Sequence, residues 1–207
     1  MASASKKTPY APQRDRADVA EERAQFRLRQ RRLDIGRLVF VDESGTHPGI
    51  GPRRGWSPRG EPLYGPHEPY SRGRNVSMIA ALRVDGISAL MTTDGGVKTA
   101  DFLRFVRQRL APTLEPGDIV CWDNINMHKN AEVVAAVLET GAKVVRLPRY
   151  SPDFNPIEAA WAKVKAWIRR AMPTTVSELK KAMRRSLRRI RASDALGWLK
   201  YCGYRLP

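Results

Sequence analysis

Three acids in this chain stand where carboxylates could work together. Asp42 closes the run "RLVFVD", Asp123 closes "DIVCWD", and Glu158 lies just inside a helix opened by Asn155-Pro156, where Pro at the first helical position is preorganised for the turn. The ends of buried strands are where side chains leave the core while their backbone stays rigid, so neighbouring strands would make Asp42 and Asp123 converge. A single Asp at a strand end often only caps a turn, and an acid in a first helical turn complements the dipole. Two such strands together weaken the first of these readings. No His or Cys set accompanies the acids, so the ion they suit is a hard one that keeps water ligands, Mg²⁺ or Mn²⁺ rather than zinc. Two such ions ~4 Å apart can activate a water or a 3′-hydroxyl and stabilise the leaving oxygen of a phosphodiester.

The elements that must hold these acids follow from periodicity. "RLVFVD" is a buried strand that feeds a Gly- and Pro-rich excursion, "ESGTHPGIGPRRGWSPRGEP". "NVSMIAAL" and "ISALMTTD" flank "RVDG", whose Asp85-Gly86 pair signals a hairpin, so the first three strands form an antiparallel meander. "TADFLRFVRQRLAP" spaces Phe102, Phe105, Val106 and Leu110 along one helical face, with Thr99 as N-cap and Pro112 as stop. Next come the strand "DIVCWD", the helix "AEVVAAVLETG" and the strand "AKVVRLP"; this alternation implies a parallel half to the sheet. The expected fold is therefore α/β, with a mixed five-stranded sheet flanked by helices.

In the helix after Pro156, the packed stripe is Ile157, Ala160, Trp161, Val164 and Ile168. Glu158 lies roughly 100° off it, in line with Ala162, Lys165 and Arg169. Residues 1–35 read as a basic arm and a ragged helix, "DVAEERAQFRLRQRRL", that docks on the core or leads elsewhere. Residues 36–172 hold the acids, and 173–207 form a basic helical tail on the same domain. In that tail Leu179, Met183, Leu187 and Ile190 face one way, and Lys180 to Arg191 carries no acid.

Lys and Arg total 37 against 21 Asp and Glu, a formal net charge of +16. Such an excess calls for a polyanionic partner, most simply DNA. No apolar run approaches the ~20 residues of a membrane span and no secretory leader is evident, so the expected location is cytoplasmic and nucleoid-associated, with no membrane. Cys121 and Cys202 lack partners at ligand spacing and read as thiols outside any disulfide framework.

The motifs "VDES", "RRGWSPRGEP", "WDNINMHK" and "LPRYSPDFNPIEAAWAKVK" resemble those of DDE transposase catalytic domains, in particular the mariner superfamily and its bacterial insertion-sequence relatives of the IS-six-thirty type. The resemblance runs from about Asp18 to the C-terminus, and 34 residues separate Asp123 from Glu158, similar to the family's second interval. It implies an RNase H-like fold with Asp42, Asp123 and Glu158 as catalytic triad and ligands of two Mg²⁺ or Mn²⁺ ions. It also implies cleavage at transposon ends and strand transfer into target DNA by a homodimer. Relatives carry an N-terminal helix-turn-helix region, whereas 41 residues precede Asp42 here. Two readings stand. The chain is a transposase completed by a partner N-terminal DNA-binding polypeptide, or it is a truncated, non-catalytic DNA-binding fragment that regulates an intact transposase.

Of the remaining residues, Arg53, Arg54 and Arg59 suit phosphate contacts beside the first acid, and Lys165, Arg169, Arg184 and Arg188 extend the expected DNA-binding surface. Asn124 and His128 follow the second acid and are candidates to touch substrate; a hydrogen-bonded histidine is the competing reading for His128. Glu43 would face away from Asp42 on a continuing strand, and Asp153, between two prolines, would shape a turn. Trp56 either stacks a base or seals the core, the default for a lone Trp.

Overall fold

The computed structural model describes residues 12–51, 56–62 and 75–206. Five strands, β1 (Leu38–Thr46), β2 (Val76–Arg83), β3 (Gly86–Asp94), β4 (Ile119–Trp122) and β5 (Lys143–Arg146), form one sheet in the order β3-β2-β1-β4-β5. β1, β2 and β3 pair antiparallel, whereas β4 pairs parallel with both β1 and β5. The expected meander and parallel half are both present.

Period-two alternation sends the residues of each strand to two separate cores. Leu38, Phe40, Met78, Ala80, Leu82 and Cys121 meet α1 (Ala17–Gln30), α4 (Ile157–Ala171), α5 (Val176–Leu187) and α6 (Ala192–Tyr201) on one face. Val39, Val41, Ile79, Ala81, Val120 and Trp122 meet α2 (Thr99–Phe105) and α3 (Ala131–Leu138) on the other. The alternation fixes the direction of every polar residue that continues it. Both cysteines are buried and free, and burial pushes the Cys121 thiol up to about 12.

β1 does not end at Asp42. It runs on to Thr46 because β2 supplies a ladder for "ESGT", with Glu43 opposite Ile79 and Thr46 opposite Val76. The hairpin loop is Val84-Asp85, closed by the Arg83–Gly86 pair, rather than Asp85-Gly86. Gly86 has φ 130°, and a Cβ there would lie 3.1 Å from the Ile190 carbonyl oxygen, so this turn admits glycine alone without rearrangement. Lys98 rather than Thr99 caps α2, its amide donating to Asp101 at 3.2 Å. Past α2 the chain continues as a π-helical segment, Val106–Leu110.

α1 docks through buried Val19 and Phe26, and ion pairs tie it to the loop before α4 as well. Buried Arg23 donates to Asp153 at 2.9 and 2.6 Å and to Ser151 Oγ at 2.6 Å, and Arg149 reaches Asp18 and Glu22, each at 2.7 Å. Asp153 thus anchors the loop between β5 and α4 and is no alternative third acid. Leu179, Met183, Leu187 and Ile190 all enter the α4 core as expected. Trp56, by contrast, is 100% exposed and seals no core. Among the described residues no helix is long and apolar enough to cross a membrane.

Candidate active site

β1 and β4 pair as far as Phe40 and Cys121. Two residues later on each strand come Asp42 and Asp123, so the acids stand side by side where the parallel ladder ends. Alternation sends Asp42 toward α4, whose Trp161 Nε1 donates to Asp42 Oδ2 at 2.9 Å. Glu158, in the first turn of the same helix, completes the group. Asp42, Asp123 and Glu158 line one cleft of about 540 Å³, together with Asn124, Asn155 and the loop Leu147 to Pro152.

The acids burden one another. Burial, then the charges of Glu158 and Glu43, push Asp42 up to about 7 against the bond from Trp161. Glu158 is raised by burial and by Asp123, with Lys165 opposing. Lys165 thus acts on Glu158 from two turns further along α4, as the helical line predicts. A cation placed among these carboxylates would relieve both shifts.

His128 does not face the cleft. It is fully buried, stacked on Trp122 at 5.3 Å and against Phe102 at 4.5 Å, with Nδ1 on Asp123 Oδ1 at 2.7 Å and Nε2 on Glu43 Oε1 at 2.9 Å. Substrate contact gives way to a clamp. Burial alone would lower the imidazole, but the bonds to Asp123 and Glu43 outweigh it and raise it to about 9, so at neutral pH both nitrogens donate. Glu43 does face away from Asp42, and this is what it is used for. One oxygen of Asp123 is consumed by His128 and the Ile125 amide; the other is left to the cleft.

Among the described residues no three His, Cys, Asp or Glu side chains are already gathered as a closed ligand set. The donors nonetheless fit a hard cation: three carboxylates share the cleft, and the buried Asn155 Oδ1 beside them accepts no hydrogen bond from the protein. An all-oxygen, incomplete shell suits an ion that retains water and takes further ligands from a phosphate.

The expected DNA contacts are dispersed. Arg53 and Arg54 lie outside the described residues; Arg59 is exposed in a turn. Arg169 is half-buried on α4. Arg184 and Arg188 line a different groove, along edge strand β3 with Arg109. Asn124 is in the cleft itself.

The mixed sheet thus sets two strand-borne aspartates against a helix-borne glutamate at one cleft. The model of the DDE superfamily endonucleases matches residues 37–180. The chain belongs to that family. Its fold is the RNase H-like one of the Mos1 mariner transposase. The Mos1 paired end complex with Mn aligns with a TM-score of 0.74 and 17% identity over 98% of this chain and 64% of that one. The Mos1 strand transfer complex gives 0.72 and 16% over 98% and 63%. The Mos1 catalytic domain alone gives 0.65 and 12% over 94% and 91%. The chain thus spans just under two thirds of the first two. No curated protein sequence matches it significantly.

Trp161, Glu43 and Asn155 did not emerge as site residues from the sequence. The one signal for Glu43 is its place directly after Asp42 on a strand, which sends it to the opposite face toward the residues that follow β4.

Proposed function

We propose that this chain is the catalytic part of a transposase of a bacterial insertion sequence, cleaving DNA at the element's ends and joining the freed 3′-hydroxyl to target DNA. Asp42, Asp123 and Glu158 are its catalytic acids and the ligands of two Mg²⁺ or Mn²⁺ ions. The observation that carries this reading is the gathering of those acids at one cleft, where Asp42 is raised by burial and by Glu158, and Glu158 by burial and by Asp123: they are arranged for a cation and a phosphate. Bound there, the ions would supply Lewis-acid stabilisation of the attacking and leaving oxygens.

The protein's own part is positional. His128 fixes Asp123, the Trp161 indole N–H fixes Asp42, and Lys165 tempers the charge of Glu158. Arg53, Arg54, Arg59, Lys165, Arg169, Arg184 and Arg188 supply phosphate contacts, and Asn124 touches substrate from within the cleft. With a formal charge of +16, affinity for duplex falls steeply with salt. Two element ends must be processed together, so the working form is a homodimer or a complex with an N-terminal DNA-binding polypeptide, acting on DNA in the cytoplasm. The Mos1 complexes whose names describe paired ends and strand transfer support this by likeness of fold.

The test is strand transfer. An oligonucleotide duplex carrying the element's end with an exposed 3′-hydroxyl is incubated with supercoiled plasmid, Mn²⁺ and protein. Wild type yields joined product and Glu158→Ala yields none. DNA binding without any joining by wild type would overturn the reading in favour of a regulatory fragment.

A further inference from the structure

Two loops leave the adjacent strands β4 and β5, and each presents a large apolar side chain at the catalytic cleft. Ile125 is 36% exposed and Tyr150 45% exposed, and both line the cleft with the three acids. The other large apolar side chains that stand exposed among the described residues are not part of its lining. A lone exposed apolar side chain is ordinary, but these two line one cleft with three acids.

The backbone at Tyr150 strengthens the case. Its φ is 54°, in the left-handed region that a bulky residue rarely adopts. Such strain persists only where the surroundings over-determine it, and it gathers at ligand clamps. Here the surroundings are the ionic dock of α1. Arg149, one residue before, is held by Asp18 and Glu22. Ser151, one residue after, and Asp153 are held by Arg23, which also reaches the Tyr150 carbonyl oxygen at 3.4 Å. Every neighbour is tied back to α1, while the ring is left at the cleft.

We propose that Tyr150 is a stacking platform for an unpaired base next to the phosphodiester presented to the acids, with Ile125 as a second apolar contact. An intact duplex hides its base faces and offers a tyrosine ring nothing to stack on, whereas an unpaired nucleotide offers a whole face of any sequence. The ring would therefore favour DNA whose strands are parted at the reacting position. This inference rests on the DNA-cleaving reading above and adds to it the form of DNA that the cleft accepts.

The probe is a forked oligonucleotide duplex with 2-aminopurine at the first unpaired position, bound in EDTA for fluorescence and then given Mn²⁺ for cleavage. Wild type and Tyr150→Phe quench the 2-aminopurine, while Tyr150→Ala and Tyr150→Gly do not. Glycine adopts the positive φ freely, so a loss common to Ala and Gly belongs to the ring and not to the backbone. Nicking at the junction falls about tenfold in both ring-less variants, and an abasic site at the probe position brings wild type down to their rate. A quench that survives in Tyr150→Ala, that is lost in Tyr150→Phe, or that is missing in wild type overturns the proposal. Failure of the underlying reading looks different: wild type then nicks nothing in Mn²⁺, whatever the fluorescence does.

Discussion

The two ends of β4 carry one aspartate each, and the protein treats them in opposite ways. Asp118, immediately before the strand, is fully buried and receives Arg83 at 2.7 and 3.2 Å and the Glu115 amide at 2.9 Å, with Arg37 at 3.8 Å. Burial pushes its carboxyl up, but these partners outweigh it and hold it below the usual range. Asp123, immediately after the strand, shares a cleft with Asp42 and Glu158, and among the described residues its ion-pair partner is buried His128. An acid that serves the fold is given an arginine. The acids of the cleft are given each other, a grouping whose cost the metal ions of the proposed function would relieve.

The contrast predicts a double dissociation. Asp42→Asn removes a burdened carboxylate from the cleft: metal-dependent DNA nicking falls on the order of 10³-fold, while the thermal midpoint stays level or rises. Asp118→Asn does the reverse. It leaves Arg83 without its counter-ion and destabilises the fold by about 3 kcal/mol in urea titrations, while nicking per folded molecule is unchanged. If both substitutions cost stability alike, the two ends of β4 are not distinguished as described.

The clamp on Asp123 gives a smaller effect. His128→Phe keeps a ring between Trp122 and Phe102 but donates to neither carboxylate, and Mn²⁺ affinity read by calorimetry drops about 10- to 100-fold. An unchanged affinity would make the histidine a packing residue only.

Smallest are the pH slopes of metal-free stability. Asp118 titrates lower in the folded than in the unfolded chain, so the stability it adds is full above about 4 and is lost as pH falls through the folded value. Asp42 has the opposite sign: raised to about 7, it stabilises the folded state least above 7, so stability declines as pH rises from about 4 to about 7. His128, raised to about 9, contributes fully below about 6.5 and loses that contribution toward 9. Urea midpoints against pH for wild type and Asp42→Asn isolate the middle slope, which disappears in the variant and in wild type saturated with Mn²⁺.

Much of this was legible in the sequence, and the exceptions share a cause. The meander, the parallel half and the stripes of α4 and α5 are local patterns, and period alone reveals them. "ESGT" reads as loop because its strand character comes from β2, whose paired residues run from Val76 to Ile79. The separate helix α6 went unread because the basic run before it blurs its start, which Asp194 sets by accepting from the Arg191 amide at 3.1 Å. Asp42, Asp123 and Glu158 stood out because each sits at the end or beginning of a strongly patterned element. His128 stood out as a candidate, but its bond to Glu43 did not, since it joins residues 85 positions apart and nothing local in either marks the other. The ion pairs of α1 were hidden for the same reason: the partners of Asp18, Glu22 and Arg23 lie more than a hundred residues away.

The central claim is that three carboxylates gathered at one cleft form a metal-dependent phosphodiester site, and its most direct test is the nicking of supercoiled plasmid in Mg²⁺ or Mn²⁺ by wild type and Glu158→Gln. Wild type is predicted to nick with metal and not with EDTA, and the folded, DNA-binding variant to nick with neither. Metal-dependent nicking by Glu158→Gln at the wild-type rate would contradict the account.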